Sequence, residues 1–277
     1  MKTINQQTQN LEIKKIPNLS ELGRDLLYIS PLRLAFTLIV PFVCTALFFI
    51  FAYYGYWALS VLSLMYLSFV SYGSISHDLV HRNIGLSKRL NEMLLCSIEL
   101  LALRSGHAYR LVHLHHHASY PSDDDIEGAA SRMSLLGSLF EGITLQVRIH
   151  IWAIRRRSEL HVWIVIECLV SALIVISALI IFPYFMTPLL YVVLMIMGSW
   201  IIPLITSYIP HNPKGISEIE QTLRFRGIVL SIIALRHLYH LEHHLYPSIP
   251  HHNWHKLAKR LDPYLDEHGI NSNKLWF

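Results

Sequence analysis

Two stretches of the chain are almost uniformly apolar and carry no Asp, Glu, Lys or Arg. One runs from Leu34 to Ser76 (43 residues), the other from Cys168 to Pro213 (46 residues). A helix crosses a bilayer with about 20 apolar residues at about 1.5 Å of rise each. Each stretch is roughly twice that length, so each predicts a helical hairpin. The first divides at Tyr54-Gly55-Tyr56, giving spans near 33–54 and 57–76. The second divides between Pro183 and Pro188, giving spans near 161–182 and 188–209. Neither turn contains Lys or Arg, and Arg155-Arg156-Arg157 stands just ahead of the third span. The positive-inside rule then places the N-terminal, central and C-terminal segments in the cytoplasm and the two turns outside. Tyr53, Tyr54, Tyr56 and Trp57 crowd the first turn, as an interfacial aromatic belt would.

Shorter apolar runs lie outside the hairpins: Leu90–Leu103 (broken by Glu92 and Glu99), Leu135–Trp152 (broken by Glu141, Arg148 and His150) and Ile228–Leu235. They are too short or too polar to span. They read as helices lying at the cytoplasmic interface, or as core helices of a cytoplasmic cap, and the two readings are compatible. The expectation is an all-α integral membrane protein: four transmembrane helices in two hairpins, under a cytoplasmic helical cap. It is read as one domain over 1–277, with 1–31 a cytoplasmic N-terminal segment. The first 30 residues are polar and charged, so no cleavable signal peptide is expected and the first span serves as its own insertion signal.

Composition agrees. Hydrophobic residues make up 53% of the chain and charged residues only 15%, against about 25% charged in soluble domains. An ordinary soluble domain, a disordered chain and a nucleic-acid-binding protein are excluded. The net charge of +4 is small. Cys44, Cys96 and Cys168 lie far apart with no C-x-x-C, which excludes a disulfide framework and a Cys-ligated zinc or iron–sulfur site. Cys44 and Cys168 read as packing residues.

The unusual component is histidine, with 18 residues. Four groups stand beside the spans: His77 and His81; His113, His115, His116 and His117; His211; and His240, His243 and His244. On a helix, positions i, i+3 and i+4 share a face. His77 projects with His81, His113 with His116 and His117, and His240 with His243 and His244. His115 points away. Eight convergent imidazoles exceed what one metal takes, so two metals with about four ligands each fit better, with His211, aimed by Pro210, as a ninth. An all-imidazole set suits iron, copper, nickel or zinc, and ligand type does not choose among them. His237 shares a face with His240 and His244 but reads as structural. So do His107, His150, His161, His251, His252, His255 and His268.

In order and topology, H-x-x-x-H, H-x-x-H-H and H-x-x-H-H resemble the membrane fatty acid desaturase and hydroxylase superfamily, over about 57 to 260. Tyr-Ile-Pro-His at 208–211 and Tyr-His-Leu-Glu-His-His-Leu-Tyr-Pro-Ser-Ile-Pro at 239–250 resemble the beta-carotene hydroxylase and ketolase branch. Val-His-Leu-His-His-His-Ala at 112–118, followed by Asp123-Asp124-Asp125, is also similar to the ring hydroxylases. Some acyl-lipid desaturases share the last box. Arg-Asn-Ile-Gly after His81 departs from the carotenoid branch, and His107 and His115 are additional.

The resemblance implies a non-haem diiron oxygenase with O2 as cosubstrate, acting as a monooxygenase on a carotenoid ring or, alternatively, as a desaturase or hydroxylase of an acyl chain. It implies two irons held by His77, His81, His113, His116, His117, His240, His243 and His244, with His211 as the additional ligand. Asp78 and Glu242, inside the boxes, are expected to orient imidazoles. Asp123, Asp124 and Asp125 are expected to support the second box or to pair with Arg104, Arg110 or Arg155. No G-x-G-x-x-G motif is present, so electrons are expected from a separate donor, ferredoxin-type by resemblance. It would dock on Lys214, Arg224, Arg226 and Arg236, or on Arg155–Arg157. A non-enzymatic metal transporter or sensor is the competing class. It would place its ionisable residues inside the spans, whereas the histidines lie at their ends.

Overall fold

The computed structural model describes residues 16–156, 158–227 and 236–274. Arg157 and the apolar run 228–235 lie outside the described residues. Among the described residues, four helical runs are long and apolar enough to cross a membrane: Arg24–Tyr53, Trp57–His81, His161–Ile181 and Thr187–Tyr208. The first contains helix α1 (Pro31–Tyr53), which opens on Pro31; proline suits a first helical position because its missing N–H has no intrahelical partner there. The hairpin to α2 (Trp57–Val70) turns at Gly55, whose φ of +77° lies in the left-handed region. Inside the hairpin the Ser60 hydroxyl donates to the Phe48 carbonyl at 3.1 Å.

The second span does not end where the apolar run does. A widened π turn over Ser71–Ile75 leads without a break into α3 (Ser76–His81), so the first histidine pair rides on the end of a spanning helix. The cap continues with α4 (Lys88–Leu101), α5 (Gly106–Ser119) and α6 (Leu135–Arg155). Next come the third span, α7 (His161–Ile181), and the fourth, which starts as α8 (Thr187–Gly198) and reaches a second π turn over Leu204–Tyr208. The chain closes with α9 (His240–Leu245) and α10 (Trp254–Glu267). A two-residue parallel ladder pairs Phe225–Arg226 with Asn273–Lys274 and is the only sheet among the described residues.

The spans turn apolar side chains outward. Phe36, Ile39 and Ile50 on α1, and Leu169, Leu173, Ile176 and Ile180 on α7, are exposed at helical spacing. Lipid accepts such a surface, whereas water would not. Helix α6 combines both readings of its sequence. Leu136, Phe140, Ile143, Val147 and Ile151 form an exposed apolar stripe, while Glu141, Leu145 and Ile149 on the other face are buried. At Gly142 the helix crosses the fourth span at backbone contact, so close that a Cβ there would collide with the Trp200 carbonyl.

Behind the third box lies a separate apolar cluster. Trp254, Leu257, Leu261 and Leu265 face inward along α10 at helical spacing, packed with Leu22, Leu26, Leu241 and Ile249. Trimming one such fully buried leucine to alanine costs about 2–5 kcal/mol, so this cluster fixes α9 firmly against the cap.

Candidate metal centre

The nine histidines that the spacing singled out fall into two buried groups. His77, His81, His113, His117 and His243 form one; His116, His211, His240 and His244 form the other. The ring Nε2 atoms face each other. His77 to His243 and His81 to His113 are 3.0 Å apart, His113 to His117 3.1 Å, and His117 to His243 2.8 Å. In the second group His211 lies 3.1 Å from His116 and 3.2 Å from both His240 and His244, and His240 to His244 is 3.0 Å. Two nitrogens at about 2.1 Å from a shared cation and at right angles to one another stand about 3.0 Å apart. The spacing therefore fits a metal at the middle of each group.

Two devices aim the rings. Each π turn lies just ahead of a histidine at a span's end: Ser71–Ile75 before His77, and Leu204–Tyr208 before His211. A π turn adds a residue to one turn of helix, rotates the residues beyond it and leaves a carbonyl unclaimed. His211 Nδ1 donates to the Ser207 carbonyl at 3.0 Å, which turns Nε2 inward. The second device is carboxylate support. His113 Nδ1 donates to Glu127 at 3.0 Å, and His116 Nδ1 donates to Asp125 at 2.7 Å. Such bonds fix the tautomer and keep the Nε2 lone pair free for a metal. Glu127 is itself held by the Tyr72 hydroxyl at 3.0 Å, and Asp125 by the Gly128 N–H at 2.9 Å. His77 Nδ1 and His243 Nδ1 are buried and find no partner among the described residues.

Burial, reinforced by the neighbouring imidazoles, holds His117, His211, His240, His243 and His244 well below the usual histidine range. Neutral rings with free lone pairs are the form that binds a metal. His116 is the exception. Burial opposes its charged form, but the Asp125 carboxylate outweighs that and lifts its pKa.

Several side chains take partners other than those expected. Asp78 turns away from the box imidazoles and takes His251, through the backbone N–H at 3.0 Å and Nδ1 at 2.5 Å. Glu242 is fully buried and accepts from Arg226 at 2.6 Å, not from an imidazole. Of the three consecutive aspartates, only Asp125 reaches one of the inward histidines of the second box. Asp124 pairs with Arg156, and Asp123 stands 3.6 Å from Arg132. Arg104 and Arg110 pair instead with Glu99 and Glu92. His115 does turn outward, toward Asp124 and the Trp152 ring. Glu127, which sequence reasoning missed, lies fourteen residues beyond His113 and returns through a 3-10 turn over Glu127–Arg132.

An apolar cavity of about 140 Å³ opens between α2 and the end of the fourth span, lined by Met65, Gly198, Ile201, Ile202 and Ile205. A small pocket against His77, His113, His116 and His240 shares Tyr72, Gly73, Ile205, Thr206 and His237 with it. The two cavities therefore lie side by side, with these shared residues as their common wall.

A model of the fatty acid desaturase family matches residues 52–276. The chain belongs to the fatty acid desaturase family. No curated protein sequence matches it. The matched range holds all four histidine groups and most of the membrane-spanning chain, starting at the turn of the first hairpin. Membership makes this desaturase-family chain a membrane oxidoreductase of the desaturase and hydroxylase type, whose histidine groups are able to hold metal.

Proposed function

We propose that this desaturase-family protein is a diiron oxygenase that uses O2 to oxidise an unactivated C–H bond of a lipid. The observation that carries the reading is the arrangement of nine inward Nε2 atoms in two sets at ligand spacing. One iron belongs with His77, His81, His113, His117 and His243, the other with His116, His211, His240 and His244. The irons supply the oxidising power that no side chain has. The chain does the rest. Glu127, Asp125 and the Ser207 carbonyl hold three rings in one tautomer, the neutral rings keep their lone pairs inward, and the apolar cavity excludes water beside the reacting carbon.

The substrate reaches the site from the bilayer between the second and fourth spans. A carotenoid ring is the preferred substrate, supported by the likeness of 208–211 and 239–250 to the carotenoid enzymes; an acyl chain is the alternative. The whole chain acts as one domain. The histidine boxes lie on the cytoplasmic side, where the basic segments place them, and electrons arrive from a separate soluble or peripheral protein.

Expression in a carotene-producing host, with analysis of pigments and acyl chains, separates the substrates: new ring oxygenation supports the first, altered acyl chains the second. His243→Ala should abolish either product and lower the iron content from about two per chain. His268→Ala should change neither, because His268 packs on Tyr264, outside both groups. Equal behaviour of the two variants would overturn the ligand assignment.

A further inference from the structure

Trp254 stands against the five-histidine group. It is 1% exposed, and its ring centroid lies 5.0 Å from that of His243 and 5.4 Å from that of His77. Its indole N–H donates to the Ile249 carbonyl at 2.9 Å, which fixes the ring edge-on to His77. It is also the first residue of α10, whose outer face is basic. Lys256 and Lys259 are exposed; Lys256 lies near Asp25, which pairs with Arg260, and neither lysine forms an ion pair among the described residues. His255 lies between them and Arg236, whose guanidinium neighbours that of Arg33 at the start of the first span.

The other basic residues near the third box are already engaged. Arg224 pairs with Asp262 at 2.7 Å and Asp266 at 2.6 Å, and Arg226 bridges Glu242 and Asp262. These pairs neutralise the inner half of the region. Among the described residues, the charge left without an ion pair is on Lys259, Arg236 and Arg33, with Lys256 beside them near Asp25, around the end of α10 that carries Trp254.

Resting on the diiron reading, we propose that this face docks the electron donor, a small acidic one-electron carrier protein, and that Trp254 carries the electron to His77 and His243. Charge complementarity selects an acidic partner and speeds its approach. The indole then supplies the aromatic contact between that surface and two imidazoles of one group. Each docking oxidises the donor by one electron and reduces the metal pair by one. Two such events, with O2, two protons and one C–H bond, yield a hydroxylated product and one water; for desaturation the same inputs with two C–H bonds yield a double bond and two waters. An anionic lipid headgroup would also suit the charge. The donor is favoured because the charge surrounds a buried aromatic side chain that touches ligands from both the first and third boxes.

The test uses the protein in nanodiscs of neutral phosphatidylcholine and an acidic plant-type ferredoxin as probe. Lys256→Glu with Lys259→Glu should weaken ferredoxin binding by about tenfold and flatten its salt dependence, with iron content unchanged. Lys214→Glu, elsewhere on the surface, should leave binding alone. Trp254→Leu should bind ferredoxin and iron normally yet slow the reoxidation of reduced ferredoxin by about tenfold. Dithionite should still reduce it at the parent rate. Unchanged binding in the lysine double variant, or a loss only of retained phosphatidylglycerol in mixed nanodiscs, would overturn the docking surface. Reoxidation at the parent rate in Trp254→Leu would overturn the relay. Failure of the dithionite-reduced parent protein to turn over would instead count against the oxygenase reading, and the binding arm would still stand as read.

Discussion

Among the described residues, two largely buried clusters contain metal-binding residue types, and they differ in how their polar atoms meet. In the nine histidines Nε2 faces Nε2 at about 3 Å around each group, and burial holds His117, His211, His240, His243 and His244 toward the neutral form. The second cluster joins Cys96, His107 and Glu167 at the wall of the third span. There the donors converge on one carboxylate. Glu167 accepts from the Ser105 hydroxyl at 2.5 Å, from His107 Nδ1 at 2.8 Å, from the His107 backbone N–H at 3.2 Å and from the Cys96 thiol. His107 Nε2 faces Glu92 at 3.3 Å, and Glu92 is closed off by Arg82 and Arg110. The first cluster sets ring nitrogens against one another at the spacing a shared cation would need. The second is complete as a hydrogen-bond network that ties α7 to α4 and α5. Proximity of ligand-type residues is therefore a weaker sign of a metal than lone pairs left facing one another.

That contrast is sharpest where a single atom is changed. Glu127→Gln or Asp125→Asn removes the carboxylate behind a box histidine and leaves the shape intact. Each should weaken metal binding by about 10–100-fold, read by competition with a chelator, with the histidines all present. Unchanged metal affinity in both variants would mean that the carboxylates only fill space.

Glu167→Gln should do the opposite. An amide puts an N–H group among donors, and the cost falls on stability, about 1–3 kcal/mol, while metal content stays at the parent level. Thermal unfolding in detergent and metal analysis on the same sample check both halves. Loss of metal without loss of stability would reverse the comparison.

Much of the centre was legible because histidine spacing of i, i+3 and i+4 projects side chains together on any helix. The spans were legible because 43 and 46 residues without a charge admit little else. The supporting residues were not, for geometric reasons. Asp78 and Glu242 sit inside the boxes, but one residue along from His77, or two from His240, points them off the ligand face, toward His251 and Arg226. Glu127 reaches His113 through a 3-10 turn that no periodicity marks. The two π turns leave no residue signature either, so the continuation of the second span through His81 could not be read from the end of the apolar run. Glu167, just before the second charge-free stretch, lies inside α7 and is 2% exposed, and no spacing in the sequence links it to Cys96 and His107.

The smallest effect comes from the same neutral rings. Burial, aided by His251, pushes His237 down to about 4, and burial with His251, Arg236 and Arg33 nearby pushes His252 to about 3. His240, His243 and His244 are lowered in the same direction, first by burial. Histidines in the unfolded chain titrate near about 6.5. Above that pH neither state holds the protons, and the full contribution to stability is present. Below it the unfolded chain takes up protons that the folded rings refuse, so stability falls as pH falls, for His237 down to about 4. Asp125 and Glu127 add to the fall as they protonate, since their histidine partners hold their carboxyls low against the opposing effect of burial. His116 works in the other sense: its raised pKa gives a contribution present below about 6.5 and lost as the pH climbs, which blunts the trend without reversing it. Metal-free protein unfolded by denaturant in detergent should therefore be most stable above about pH 7 and lose stability steadily toward about pH 5. A maximum near about pH 5 would mean that these rings are charged in the folded state and that the imidazole groups do not stand ready for a metal.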